Sequence, residues 1–474
     1  MAIRYGERQQ TLMFPPSIEE LIPADAPVRA YDAFVNALDL PTLGVIGDEQ
    51  QAGRPSYDPA AMLKLLLYGV SYGVRSSRKL ERECHYNLAF IWLMGGLKPD
   101  HHTISEFRRR HRKALAQVIK QCARLCLTYG LIEGNVLFID GTRMRANASL
   151  DHNWTPQKAQ KVLEELDARI EQALQQGEQD DQEQAQQGSW VKLPENLADR
   201  EQMRDRVAAI LEQMRLEGRD RLNTTDPDSV LVKSRQGIHP GYNGEVVTDA
   251  KHGLIADSDV VSASTDIGQF TAHIAQAQET LGKSCQTACG DAGYSDAEDL
   301  APLDENGVDI IVPSQMQAEE KTPGPFHKSQ FQYDETSDSY VCPIGERLTY
   351  GGYEKARSRR YYKGGKVCLT CPHFGVCTTD RVNGRKVTLD DYEALRAKLA
   401  ERYASPGGQA IYARRKEKTE PIFGHFKRNL GAGYFLLRGV EKVRAEFSLL
   451  AVAYNVRRLI SLLGVAGLIG KLTS

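Results

Sequence analysis

Between residues 136 and 314 the chain spells out a single order of elements: a strand, a hairpin, then helix, strand, helix, strand. The first apolar run is "VLFID", ending at Asp140. The next two, "GYNGEVVTDA" and "GLIADSDVVSAST", flank Lys251-His252-Gly253, a junction that predicts a hairpin. "IGQFTAHIAQAQETLG" reads as a helix, "CQTACGDAG" as a short strand, "SDAEDLAPLDENG" as a capped helix and "VDIIVPS" as a buried strand. A hairpin followed by alternating helix and strand predicts an α/β fold, a mixed five-stranded sheet with helices on its faces.

Two of these strands end on a carboxylate. Asp140 in "IDG" and Asp291 in "GDAG" each close an apolar run and are followed within two residues by glycine. A buried lone carboxylate is costly. In open α/β sheets, reactive groups collect at the carboxyl ends of strands. Neighbouring aspartates there repel unless protonated or bridged by a cation, and a hard divalent ion such as Mg²⁺ suits oxygen ligands. The plain alternative is that each aspartate caps a turn. Asp226, Asp228, Asp249 and Asp266 also lie near elements, but they read as turn, hairpin or cap residues and rank lower.

A third carboxylate stands in "IYARRKEKTEPIFGHFKRNLG". At ~100° per residue, Tyr412, Lys416, Glu420 and Lys427 fall at roughly 0°, 40°, 80° and 60° on one stripe of a helix, with Arg415 at its margin near −60°. Pro421 removes a helix hydrogen bond and predicts a kink. A solvated face with i,i+4 pairs would look the same.

Charge is unevenly spread. The net of −2 conceals +14 over residues 351–474 and −16 over residues 1–350, and a basic C-terminal third suits a polyanionic partner. Residues 1–130 read as a helical domain. Its clusters "RSSRK" and "EFRRRHRK" at helix starts predict a helix-turn-helix-like DNA-binding unit. Residues 131–474 are interrupted twice, by a Gln/Glu-rich helical insert over 151–222 and by a basic, Cys-rich insert over 315–404. In the latter, Cys342, Cys368, Cys371 and Cys377 have a knuckle spacing that suits tetrahedral Zn²⁺. His373 is a substitute ligand, and an iron–sulfur cluster or unligated thiols are the alternatives. The first 20 residues lack a secretory apolar core, and "LISLLGVAGLIG" is shorter than a bilayer crossing needs. With nine cysteines, an odd number, the expectation is a reducing cytoplasm and no membrane.

Asp140 in "FIDGT", Asp291 in "GDAGYSD" and Glu420 in "TEPIFGHFK" resemble the D-D-E triad of bacterial insertion-sequence transposases. Tyr412, Arg415, Glu420 and Lys427 are similar to the Y-R-E-K signature of the cut-and-paste group. The Arg-to-Glu spacing is one residue too long here, so Lys416 competes with Arg415 for that role. "GRPSYDP", "LKPDHHTISEFRR" and "GYFLLRGVEKVRAEFSLLAVAYNVRRL" extend the likeness over most of the chain. The resemblance implies a ribonuclease-H-like core that cuts and joins DNA with two Mg²⁺ ions held by Asp140, Asp291 and Glu420. It also implies a homodimer acting on paired inverted-repeat ends and target DNA, in the cytoplasm at the nucleoid. Arg143, Arg145, Tyr412, Arg415, Lys416 and Lys427 are the expected DNA contacts. A nuclease that cuts without joining, and an inactive DNA-binding relic, are the rival readings.

Overall fold

The computed structural model describes residues 17–46, 56–176, 197–234, 237–355 and 359–473. Its main sheet has six strands: β1 Val136–Arg145, β2 Val230–Ser234, β3 Gly237–Asp249, β4 Ile255–Val261, β5 Thr287–Cys289 and β6 Asp309–Ile311. They run in the order β2–β3–β1–β5–β6, with β4 also paired to β3. β3 is antiparallel to β1 and to β4, whereas β5 runs parallel to β1 and β6 parallel to β5. The mixed sheet and hairpin are as expected. The sixth strand arises because β3 is longer than β4: β4 pairs with Asn243–Thr248 and leaves Gly237–Gly241 for β2.

One expectation needs correcting. Asp140 does not end its strand. β1 continues to Arg145 because β3 pairs with it from Leu137 through Arg145. What ends near Asp140 is the parallel pairing with β5, whose last register pair is Phe138 with Cys289.

The N-terminal helices follow their caps. Asp58 accepts the N–H groups of Ala60 (3.0 Å) and Ala61 (3.2 Å), and Pro59 opens the Pro59–Ser71 helix. Two short helices follow, Ser77–Tyr86 and Leu88–Leu93. Asn87 leaves helical geometry and caps the second through Ala89 N–H at 3.1 Å. Two more come next, His101–Arg110 and Arg112–Thr128, with Asp100 capping the first through Thr103 N–H at 2.7 Å.

These helices share one apolar core with the sheet. The Val440–Thr473 helix lies between the N-terminal bundle and the sheet, and Phe447, Leu450, Val452 and Val456 on it are fully buried. By length and composition this helix alone among the described residues could cross a membrane. Its stretch from Val443 to Leu459 is nonetheless largely buried, and Gly464 (φ 68°) interrupts it. Asn455 inside it makes paired 2.8 Å bonds to the N–H and carbonyl of Ile255 on β4.

Both inserts have small cores of their own. Helices Pro156–Gln176 and Leu197–Leu216 pack around Trp154, Val162, Leu166, Val207 and Met214. The Gln-rich tip between them lies outside the described residues. The Cys-rich insert is an antiparallel meander of β7 Gln332–Asp334, β8 Ser339–Val341, β9 Arg347–Glu354, β10 Arg359–Lys363 and β11 Lys386–Asp390, around Phe331, Tyr340, Leu348, Tyr362 and Val387.

Candidate active site

The register of β1 and β5 brings the two aspartates together. Asp140 and Asp291 each stand two residues beyond the Phe138–Cys289 pair, so they leave adjacent strands at the same level. Phe138 and Cys289 share an apolar cluster with Tyr403 and Ile411, which marks the face covered by the Pro406–Gly424 helix.

That helix meets Asp140 directly. Asp140 Oδ2 accepts from Arg415 Nη1 at 3.0 Å and from Thr419 Oγ1 at 2.9 Å, and its Oδ1 accepts from Gly141 N–H at 2.9 Å. Burial pushes the Asp140 carboxyl up to about 6, against the pull of the Arg415 cation, and the negative charge of Asp291 adds to the rise. Burial works against the Arg415 charge too, but Asp140 and Asp291 outweigh it and hold the guanidinium above its usual range. Arg415 thus supplies a cation to both carboxylates. Asp291 caps the following turn, Ala292–Tyr294, by accepting Gly293 N–H at 2.8 Å.

Glu420 follows Thr419 in sequence, so its helical turn is anchored at Asp140. Its side chain is exposed. Pro421 does not break the helix. The backbone stays helical to Gly424 and then widens into a π-turn at His425–Asn429, a distortion that often accompanies functional sites. On that turn Lys427 Nζ donates to Thr142 Oγ1 of β1 at 2.7 Å.

The expected DNA contacts divide. Arg145 and Lys416 are exposed. Tyr412 is half-buried, with its ring against Tyr403 (5.1 Å) and the Arg415 guanidinium (5.2 Å) and Lys416 Nζ 5.9 Å away. Arg143 pairs with Asp266 Oδ2 at 3.2 Å. Arg415, placed by its helical angle at the margin of the polar stripe, is only 5% exposed and turned onto Asp140. In the N-terminal clusters Arg75 and Arg108 likewise face inward: Arg75 bonds the carbonyls of Gly431 and Tyr434, and Arg108 bonds that of Arg75.

Sequence reasoning missed Glu245 and ranked Asp266 below the triad, yet both stand beside the two aspartates. Glu245 on β3 stands opposite Gly141 and is fully buried. Burial pushes its carboxyl up to about 8, against a hydrogen bond from Tyr294, and Asp266, Asp140 and Asp291 push the same way. A Cβ on Gly293 would stand 2.9 Å from both Asp266 Oδ2 and Asp291 Oδ1, so these two carboxylates flank that glycine. The other rivals are structural. Asp226 and Asp228 cap the last helix through Gly439 and Val440 N–H, and Asp249 accepts Gly134 and Lys251 N–H.

All four cysteines of the second insert line one small cavity. Three sulfurs accept backbone N–H groups: Cys342 from Glu346 (3.2 Å), Cys368 from Arg385 (3.3 Å) and Cys371 from His373 (3.4 Å). The His373 ring rests against Phe326 instead. Among the described residues, no group of three or more His, Cys, Asp or Glu side chains is already arranged to hold a metal ion, here or at the aspartates.

Residues 16–110 match the family described as Transposase domain (DUF772), and residues 341–460 match the family Transposase DDE domain. The second match contains Glu420 and the four cysteines; Asp140 and Asp291 fall between the two. No curated protein matches the chain. A cryo-EM structure of a piggyBac transposase synaptic complex with hairpin DNA aligns over 96% of this chain and 80% of its own, at 9% identity and a TM-score of 0.36, a likeness too weak to bear on fold or function. Transposase-domain matches thus lie toward both ends of the chain, the C-terminal one to a DDE domain. Together these matches support an insertion-sequence DDE transposase.

Proposed function

We propose that this chain binds the inverted-repeat ends of its own insertion sequence as a homodimer in the cytoplasm, at the nucleoid. There it cuts and joins DNA at Asp140, Asp291 and Glu420 within a ribonuclease-H-like core. The observation that carries the reading is the common level of Asp140 and Asp291, two residues past the last β1–β5 pair. The donor set is oxygen only, as Mg²⁺ prefers, and the Arg415 pairing indicates that the aspartates need a cation. When bound, Mg²⁺ supplies Lewis-acid activation of a water or 3′-hydroxyl and stabilises the leaving oxygen. Asp140 and Asp291 would hold it, with Glu420 joining from its exposed position on the helix. Arg415, once a metal replaces it at Asp140, becomes available to a DNA phosphate. Arg143, Arg145, Tyr412, Lys416 and Lys427 would line the path of the DNA.

The test is a Mg²⁺-dependent assay on the inverted repeats that flank the coding region, scored for cleavage and for joining to a target. Cleavage without joining would identify a nuclease. End binding without either would identify a relic.

Lys427→Ala is expected to weaken end binding and to lower the salt slope of log K by ~0.9, one phosphate contact on duplex DNA. Lys427 is anchored on β1 at Thr142, two residues beyond Asp140, so its cation stands near the strand to be cut. An unchanged slope in a gel-shift salt titration would show that Lys427 does not touch the backbone.

We also assign the four-cysteine cavity to structural Zn²⁺. The N–H···S bonds orient three thiols around it, and the insert's core is small enough to need a metal. Purified protein is expected to carry one zinc per chain, and a chelator is expected to expose the insert to proteolysis. Elemental analysis finding no zinc would overturn this.

A further inference from the structure

The glycine after Asp140 has a physical cause. A Cβ on Gly141 would lie 3.0 Å from both carboxylate oxygens of Glu245 and 3.1 Å from the Tyr294 hydroxyl. The space is reserved for a buried hydrogen-bonded group on the sheet face opposite the Asp140 side chain. Glu245 Oε2 accepts from the Tyr294 hydroxyl, and Oε1 accepts from Asn243 Nδ2 at 2.7 Å. Asn243 Nδ2 also donates to Asp266 Oδ1 at 2.7 Å, and Asp266 Oδ2 accepts from Arg143.

Tyr294 closes the turn that Asp291 caps. That turn is fixed at its other points by Gln315 Nε2 on the Ala292 carbonyl (2.8 Å) and by the Phe270 ring against Tyr294 (5.9 Å). Among the described residues, the Tyr294 hydroxyl makes the hydrogen bond that connects the turn carrying Asp291 to β3, the strand that pairs along both sides of Asp140.

We propose that Glu245 is a positioning residue: through the Tyr294 hydroxyl it sets where Asp291 stands relative to Asp140, and so tunes the divalent-ion site without ligating the ion. The proposal rests on Asp140 and Asp291 being the metal ligands. It is a hydrogen-bonding role, which a glutamine can also fill: its carbonyl accepts from Asn243 and its amide donates to the Tyr294 oxygen. Glu245→Ala leaves the Tyr294 hydroxyl buried without its acceptor and Asn243 with its bond to Asp266 alone.

The experiment measures Mn²⁺ binding to the full-length protein by electron paramagnetic resonance, beside thermal midpoint and Mg²⁺-dependent cleavage. Losing a hydrogen bond that orients a metal ligand typically costs ~10–100-fold in affinity. Tyr294→Phe, which deletes only the hydroxyl, is expected to weaken Mn²⁺ by about 10-fold with a small change in midpoint. Glu245→Ala is expected to do the same or worse, and Glu245→Gln to recover most of the loss. Should Glu245→Gln bind as poorly as Glu245→Ala, the carboxylate charge matters and the positioning role is wrong. Wild-type Mn²⁺ affinity in Tyr294→Phe would also overturn it. Asp291→Asn is the control: if it too binds Mn²⁺ normally, the ligand assignment has failed, whereas its loss beside a silent Tyr294→Phe refutes the positioning role alone.

Discussion

Glu420→Gln is expected to bind end DNA at least as tightly as the wild type and to cut it at least ~10³-fold more slowly, the several kcal/mol that metal assistance supplies to a phosphoryl transfer. The side chain is exposed and directly follows Thr419, on a helix that already meets Asp140 through Arg415 and Thr419. An amide of the same shape keeps the helix in place but is a weaker ligand for a hard cation. Binding should hold because the substitution removes an anion from a surface that faces phosphate. Asp140→Asn should lose cutting equally and differ in one respect. It takes away the charged partner of a buried arginine, so its thermal midpoint should fall while that of Glu420→Gln stays. Gel shift without divalent ion, cleavage in Mg²⁺ and a melting curve on each variant separate these effects. Cutting by Glu420→Gln near the wild-type rate would remove Glu420 from the site.

The two aspartates were legible because each interrupts an apolar run, and interruption is what a one-dimensional reading detects. Their common level was not legible, since it depends on which strands pair. Glu245 was hidden for a related reason. In "GYNGEVVTD" it alternates with its neighbours and passes for the wet side of a two-faced strand. β3, however, lies between β1 on one edge and β2 and β4 on the other, with helices over both faces, and it is buried from His239 to Asp249. A strand so placed has no wet side. Its Asn243 and Glu245, in phase with buried Val247, would have signalled a polar network had the central position been recognised. Arg415 shows the limit of a helical wheel. The angle put it at the edge of the stripe, and only the packing against β1 determines that this edge faces the core. The basic clusters near the N-terminus gave the charge correctly and not its destination, because arginines that clasp carbonyls and arginines that await phosphate look alike in sequence.

Arg75→Met is expected to destabilise the fold by ~3–5 kcal/mol, the usual result of removing one partner of a buried ion pair. Arg75 and Glu446 are paired with side chains only 6% and 9% exposed. The guanidinium also donates to the carbonyls of Gly431 and Tyr434, both at 2.6 Å. Glu446 in turn accepts the N–H groups of Leu436 (3.1 Å) and Leu437 (3.0 Å). The pair therefore clasps the Gly431–Leu437 segment from both ends, and Phe435 N–H within it reaches the Arg145 carbonyl of β1 at 2.8 Å. This segment follows the π-turn of Lys427, so the N-terminal helices brace the connection behind the Glu420 helix. Methionine fills the volume but leaves Glu446 charged and two carbonyls without their donor. Chemical denaturation should show the loss, and hydrogen exchange should show it concentrated at 431–437. Adding Glu446→Gln to Arg75→Met should recover part of the loss, because the stranded charge goes and an acceptor for Leu436 and Leu437 stays. An unchanged melting curve in Arg75→Met would mean that the clasp contributes nothing. A drop that Glu446→Gln deepens would mean that Glu446 acts through its backbone bonds and not through the ion pair.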